Sequence, residues 1–154
     1  MSVGEICNRN VVITGKQDSI YSAARLMRDH HVGDVVVVES SNGINIPVGV
    51  LTDRDIVVKM IAEGLDMNSV SIADVMSYQL LTANEGDEVM TTLKRMRHKG
   101  IRRIPVISQD SGLIGILSVD DILDTLAEQL NDIDQIITGE QYRGPEGRPA
   151  IHNL

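Results

Sequence analysis

The sequence of 154 residues has very few aromatic side chains and a single cysteine. Phenylalanine and tryptophan are absent, so there is no row of aromatic rings on which single-stranded nucleic acid could stack. The lone Cys7 excludes a disulfide framework and a Cys-x-x-Cys metal knuckle. The apolar run from Val35 to Val38 is far too short to span a bilayer, so we expect no membrane association.

Positive charge is also scarce, since 14 basic residues stand against 22 acidic ones and the formal net charge is −8. Proteins that bind duplex DNA usually present a basic face, so we expect no nucleic-acid partner. One basic cluster departs from this composition: Arg95, Arg97, His98, Lys99, Arg102 and Arg103. The first residues show no basic segment followed by an apolar run, and we expect a cytoplasmic protein.

The sequence does contain an internal repeat. Identical residues recur 69 positions apart up to a turn at residue 43: Asp18 and Asp87, Met27 and Met96, and Gly43 and Gly112. After this turn the interval becomes 66: Gly49 and Gly115, Leu51 and Leu117, and Asp55 and Asp121. One length change in a turn, with the register kept on both sides of it, indicates a duplicated unit.

Each copy predicts the order strand, helix, strand, strand, helix, and the fold class is therefore α+β. Apolar residues at intervals of three and four predict helices over 19–30 and 88–99, with Asp18 and Asp87 as their N-caps. The final helices are predicted over 53–62 and 119–130. We divide the chain into a first repeat (1–66), a second repeat (67–138) and a flexible tail (139–154). The two sheets are expected to pack face to face with pseudo-twofold symmetry, which leaves two related clefts.

Both copies carry the same short motif where their last strand meets their last helix. It consists of a glycine, two apolar residues, a hydroxyl, two variable positions and an aspartate: Gly49, Thr52 and Asp55 in the first copy, and Gly115, Ser118 and Asp121 in the second. The hydroxyl and the aspartate match a capping box, which would only start the helix. The glycine would also let another group approach the backbone closely. With a helix N-terminus for an anion and a carboxylate for ribose hydroxyls, the motif fits a sugar–phosphate site.

The chain resembles the CBS domain family, as a stand-alone tandem CBS pair, or Bateman module. The resemblance covers roughly residues 5 to 130. It rests on the repeated motif, on the order of the elements, and on the segment from Arg102 to Ile107, which is similar to the family's strand ending in Pro-Val. Membership implies two βαββα repeats whose clefts bind adenosine compounds, either adenine nucleotides (AMP, ADP or ATP), S-adenosylmethionine or a dinucleotide such as NAD.

The resemblance also implies roles for individual residues. Asp55 and Asp121 would hold the ribose hydroxyls, while Thr52 and Ser118 would contact ribose or phosphate. Arg103, with Arg102 beside it, occupies the place of a basic residue that meets phosphate in the family. Apolar residues of the strands would flank adenine: Val35, Val36, Ile104 and Pro105.

The first copy departs from this pattern at the phosphate position. Gly33 and Asp34 stand where the second copy has Arg102 and Arg103, and Val36 replaces the proline. An acid repels phosphate, so we predict two unequal sites. The sequence leaves open which cleft Arg103 serves.

No catalytic motif is present, and the repeats use the whole ordered length, so we expect no enzyme activity and no catalytic cofactor. His30, His31 and His98 lack the spacing of metal ligands, and no metal site is expected. Two functions remain open. The chain is either a sensor that binds an adenosine ligand and acts on an unknown effector protein, or a dimerisation scaffold whose motif is only a helix cap. In both cases apolar residues on the last helix favour a homodimer formed through helices.

Overall fold

The computed structural model describes residues 1–142 and shows two halves with the same order of elements. The first half contains α1 (Val3–Ile6), β1 (Ile13–Gly15), α2 (Ile20–His30), β2 (Asp34–Ser41), β3 (Ile44–Thr52) and α3 (Asp53–Asp55), which a π-helical segment (Ile56–Ile61) continues. The second half contains α4 (Ile72–Val75), β4 (Ala83–Asn84), α5 (Val89–Lys99), β5 (Arg103–Ile107), β6 (Leu113–Ser118) and α6 (Val119–Tyr142). The predicted α+β class is confirmed.

Each half contributes one three-stranded sheet, ordered β1-β2-β3 and β4-β5-β6. The first pair of strands in each sheet is parallel, because a helix connects them, and the second pair is an antiparallel hairpin. Asn42 and Gly43 close the first hairpin with φ angles of 50° and 77°. Positive φ at both positions matches the twist of the flanking strands, which is why Asn-Gly is favoured in such turns.

The N-caps of α2 and α5 lie one residue later than predicted. Ser19 caps α2 and Glu88 caps α5, each accepting hydrogen bonds from backbone amides of the first turn. The prediction of Asp18 and Asp87 as caps is therefore wrong. Asp18 instead accepts a hydrogen bond from the backbone N–H of Gly15 at 2.7 Å, so its carboxylate closes the turn that precedes the helix.

The short helices α1 and α4 pack into the core of the opposite half. Val3 of α1 is fully buried in the core of the second half, where it packs with residues such as Met96. Ile72 of α4 is fully buried in the core of the first half, with residues such as Met60. A boundary at residue 66 therefore separates the repeats in sequence. In the structure, however, each core includes a short helix from the other side of that boundary.

The last helix is longer than predicted. It begins at Val119, as expected, but continues to Tyr142 and so includes the first four residues of the predicted tail. The rest of that tail lies outside the described residues. Beyond residue 128 the helix carries large apolar side chains that are 52–68% exposed: Leu130, Ile133, Ile136 and Ile137. Among the described residues, no helix has the length and apolar character needed to cross a membrane.

Candidate functional site

The repeated motif forms a capping box in both halves. In the first half, Thr52 Oγ1 accepts from the backbone N–H of Asp55, and Asp55 Oδ2 accepts from the backbone N–H of Thr52, both at 3.0 Å. In the second half, Ser118 Oγ accepts from the N–H of Asp121 at 3.1 Å, and Asp121 Oδ2 accepts from the N–H of Ser118 at 2.7 Å. The motif thus starts a helix in each copy, whatever else it does.

The second carboxylate oxygen distinguishes the two copies. Asp55 Oδ1 lies 2.9 Å from Lys59 Nζ, which also donates to the carbonyl of Val75. Thr125 occupies the place of Lys59 in the second copy, and its hydroxyl donates to the backbone carbonyl of Asp121. Both hydrogen bonds that the Asp121 carboxylate accepts use Oδ2. Within residues 1–142, Oδ1 of Asp121 therefore remains available as an acceptor.

Asp121 lines a cleft between the two halves. The first half contributes Val12, Asp34 and Val36 to its wall, and the second half contributes Arg103, Ser118 and Asp121. The cavity measures about 160 Å³. Ligand pockets usually measure about 300–1,000 Å³, so a nucleoside would have to widen this one.

The two glycines of the motif lie where a segment from the other half crosses the sheet. A Cβ atom on Gly49 would lie 2.8 Å from the backbone oxygen of Ser77, and one on Gly115 would lie 2.6 Å from Cys7 Sγ. Beside Gly115, Asn8 exchanges two backbone hydrogen bonds with Ile116, each of 2.9 Å, and beside Gly49, Ser77 exchanges two with Val50, of 3.0 and 3.2 Å. In this structure the close approach that glycine permits is therefore made by the protein's own chain.

Asp34 and Arg103, which occupy equivalent positions in the two copies, meet in this cleft. Arg103 Nη1 lies 3.5 Å from Asp34 Oδ1, and the side chain of Asp34 is only 8% exposed. Burial raises the pKa of the Asp34 carboxyl, and the nearby Asp53 raises it further, while Arg103 lowers it. The sequence left open which cleft Arg103 serves, and the structure places it beside Ser118 and Asp121.

The buried carboxyl of Asp34 gives a pH-dependent stability prediction. Because its pKa is raised in the folded state, folded protein binds the proton first, and the free energy of unfolding falls as pH rises through that folded-state pKa. We expect Asp34→Asn to raise the melting temperature at pH 7, with the difference shrinking as pH falls towards the ordinary range of an aspartate. Melting curves from pH 7 to pH 4 measure this.

The control for that experiment is Asp132→Asn, which removes the same charge from an exposed position on α6. A gain in melting temperature that is equal in both variants, or independent of pH, would show that net charge rather than burial of Asp34 is responsible.

The remaining predicted residues lie outside this cleft. Thr52 and Asp55 occupy the equivalent junction of the first half. Ile104 is fully buried in the second core, and Pro105 is buried as well. Arg102 is largely exposed, and its guanidinium lies 3.8 Å from the carboxylate of Asp120.

The sequence interpretation missed the chain segment over 8–12, which lines the cleft. Its counterpart in the other half, over 77–81, lines a larger and more open cavity of about 600 Å³ together with Lys99 and Ile101. The two segments are 69 residues apart, the same interval as in the repeat, and this spacing could have indicated that both line equivalent cavities. Among the described residues, no group of three or more histidine, cysteine, aspartate or glutamate side chains could hold a metal ion.

Comparison with known proteins identifies the family. The family model for the CBS domain matches twice, over residues 3–62 and 72–128. The chain belongs to the CBS domain family. The two matches in tandem make it a CBS pair, as the motif and the order of elements indicated.

Relatives of this CBS pair are known in sequence and in structure. An uncharacterized protein of Methanopyrus kandleri is 37% identical over 80% of this chain, which spans 61% of that protein's length. Hypoxic response protein 1 of Mycobacterium tuberculosis is 32% identical over 80% of this chain and 84% of its own. The crystal structure of Hypoxic Response Protein I, with two coordinated zinc ions, matches with a TM-score of 0.70 at 31% identity and covers 80% of this chain and 98% of that one.

A further solved structure is a CBS domain protein from Pyrobaculum aerophilum complexed with AMP. It matches with a TM-score of 0.71 at 25% identity and covers 79% of this chain and 89% of that one. The CBS-pair fold, with its two three-stranded sheets and flanking helices, is therefore shared with known structures.

Proposed function

We propose that this CBS pair is a regulatory module that binds an adenosine-containing ligand in the cleft lined by Ser118 and Asp121. The observation that carries the proposal is Oδ1 of Asp121, which no group of the described residues engages. Its other oxygen is used by the capping box, so the carboxylate is held in place while Oδ1 keeps two lone pairs for donors. The vicinal hydroxyls of a ribose supply two such donors.

The position of the cleft suggests how binding would regulate. Its walls come from different halves, and its cavity of about 160 Å³ is too small for a nucleoside. A ligand that widened the cleft by moving its two walls apart would change how the halves pack, and its affinity would shift the balance between closed and open arrangements. An effector protein that contacts only one arrangement would sense the ligand without any chemical reaction taking place.

The nature of the ligand is supported by the relative from Pyrobaculum aerophilum, which is complexed with AMP. AMP, ADP and ATP are therefore candidates, and S-adenosylmethionine and NAD share the same adenosine part. Adenosine contributes an apolar base as well as a ribose, and Val12, Val36 and Ile116 give the cleft apolar surface beside its polar groups.

We further propose that the CBS pair self-associates as a homodimer through its last helices. Large apolar side chains are exposed on the π-helical segment, namely Val57, Val58 and Ile61, and on α6, namely Leu123 and Leu130. Exposed apolar side chains grouped on helices are typical of protein–protein contact surfaces. The helix α6 also carries exposed acidic side chains, namely Asp124, Glu128 and Asp132.

A thermal-shift panel tests the proposal on the full chain. The ligands are adenosine, AMP, ADP, ATP, NAD and S-adenosylmethionine. A ligand at a hundredfold its dissociation constant adds about 2.7 kcal/mol and should raise the melting temperature by roughly 5–10 °C. Sedimentation velocity on the same sample measures whether the protein is a dimer.

The alternative function is a dimerisation scaffold without a nucleotide, and the two complete capping boxes favour it, because helix initiation alone explains the motif. A dimer whose melting temperature responds to none of the ligands would favour the scaffold and contradict the sensor.

A further inference from the structure

We propose that the Asp121 cleft selects adenosine ligands whose 5′ substituent is uncharged or cationic and discriminates against nucleoside phosphates. This inference rests on the proposed function and adds the chemical class of the ligand. It is carried by the side chain of Asp34, which stands in this cleft at the position equivalent to Arg103.

The charges that line the cleft are the first argument. Among the described residues that line the cleft, two carboxylates, Asp34 and Asp121, stand against the single guanidinium of Arg103. Asp34 is almost fully buried, where charges are poorly screened and repulsion of an incoming anion is strong. A phosphate would bring further negative charge into a wall that is already negative, whereas adenosine brings none.

The second argument concerns Arg103, the one cationic group that residues 1–142 contribute to the cleft wall. Its guanidinium already lies 3.5 Å from the Asp34 carboxylate. A phosphate that drew Arg103 away from Asp34 would leave a buried carboxylate without its cation, and an unpaired buried charge is strongly destabilising. Separating Arg103 from Asp34 therefore weakens the binding of a phosphate, whereas an uncharged ligand does not require this separation.

The third argument is that the first turn of α6 offers little to an anion. The backbone N–H groups of Ser118 and Asp121 are both used by the capping box, and the N–H of Val119 donates to the backbone carbonyl of Arg102. The same turn carries the carboxylates of Asp120 and Asp121. The helix N-terminus, which often binds phosphate in other proteins, here carries acidic side chains in its first turn, and their charge disfavours an anion.

The test compares adenosine with AMP, which differ only in the phosphate, by isothermal titration of the full chain at pH 7.5. We expect wild-type protein to bind adenosine at least about tenfold more tightly than AMP, because of the like charges in the cleft. Asp34→Asn should reduce the ratio of the AMP dissociation constant to the adenosine dissociation constant by about tenfold, mainly by tightening AMP binding. The control Asp53→Asn removes the same charge from an exposed neighbour that is outside the cleft lining and should leave most of the ratio intact.

The outcomes separate the inference from the proposed function. If AMP binds as tightly as adenosine to the wild type, or if Asp34→Asn and Asp53→Asn change the ratio equally, the selectivity inference is wrong while the adenosine site stands. If neither ligand binds, the proposed function is wrong, and the selectivity inference, which depends on it, is wrong as well. Melting curves verify folding of the variants, and Asp34→Ser repeats the test with a smaller neutral side chain.

Discussion

Replacing Asp121 by asparagine is expected to weaken binding of the adenosine ligand by about 100-fold. The amide can keep its oxygen on the backbone N–H of Ser118, so the cap survives. Its NH₂ group would then stand where Oδ1 is proposed to accept the ribose hydroxyls, and two charge-assisted hydrogen bonds would be lost. At about 1.5 kcal/mol each, this amounts to roughly a hundredfold in affinity. Isothermal titration measures it.

Asp55→Asn is the matched comparison, because it makes the same change in the same capping box of the other half. Lys59 already holds Oδ1 of Asp55, so this variant should alter affinity by less than about threefold. The ligand provides a second comparison. Wild-type protein should prefer adenosine over 2′-deoxyadenosine, and Asp121→Asn should lose that preference.

Two results would contradict this assignment. If Asp55→Asn abolishes binding and Asp121→Asn does not, the ligand occupies the cleft of the other half. If both variants bind as wild type does, carboxylates do not hold the ribose, and the motif serves only to start the two helices.

Replacing Gly49 by alanine is expected to lower the free energy of unfolding by about 1–3 kcal/mol. The new Cβ would lie 2.8 Å from the backbone oxygen of Ser77 and 2.9 Å from Met76 Sδ. The Ser77 oxygen cannot move away freely, since it accepts a hydrogen bond from the N–H of Val50. The crossing segment must therefore shift as a whole. Urea unfolding at equilibrium, monitored by circular dichroism, measures the loss.

Gly86→Ala is the control for Gly49→Ala. A Cβ on Gly86 would meet nothing within 4 Å, so we expect a change of less than about 0.5 kcal/mol. Equal stability of the two variants would show that the segment with Met76 and Ser77 can move to accommodate the new Cβ at little cost in free energy. Unchanged stability of Gly49→Ala together with a loss of ligand affinity would instead mean that the glycine serves the ligand, as the sequence first suggested.

The two halves share a motif, but a position outside it gives the two motif aspartates different surroundings. Lys59 pairs with Oδ1 of Asp55, while Thr125 at the equivalent position makes no contact with Oδ1 of Asp121, which has no partner among the described residues. Lys59 and Thr125 both lie outside the motif, one helical turn after its aspartate. A comparison of the motifs alone would have scored the two sites as equivalent.

Much of the local structure could be predicted because it depends on near neighbours along the chain. The periodicity of α2, the Asn42-Gly43 turn and both capping boxes involve residues only a few positions apart. The wrong prediction of Asp18 as the N-cap of α2 also concerned contacts between near neighbours in sequence. A carboxylate one residue before a helix can either cap that helix or close the preceding turn, and the sequence pattern suits both.

The sequence by itself determined the duplication, the α+β order of elements and the residues that start each final helix, because matched spacing and short-range hydrogen bonds leave a direct trace in the chain. Only the tertiary structure decided that α1 packs into the second core, that Gly49 faces Ser77, and that Asp34 meets Arg103 beside Asp121. These contacts join residues far apart in sequence. Their existence depends on how the two sheets pack, which no local pattern encodes.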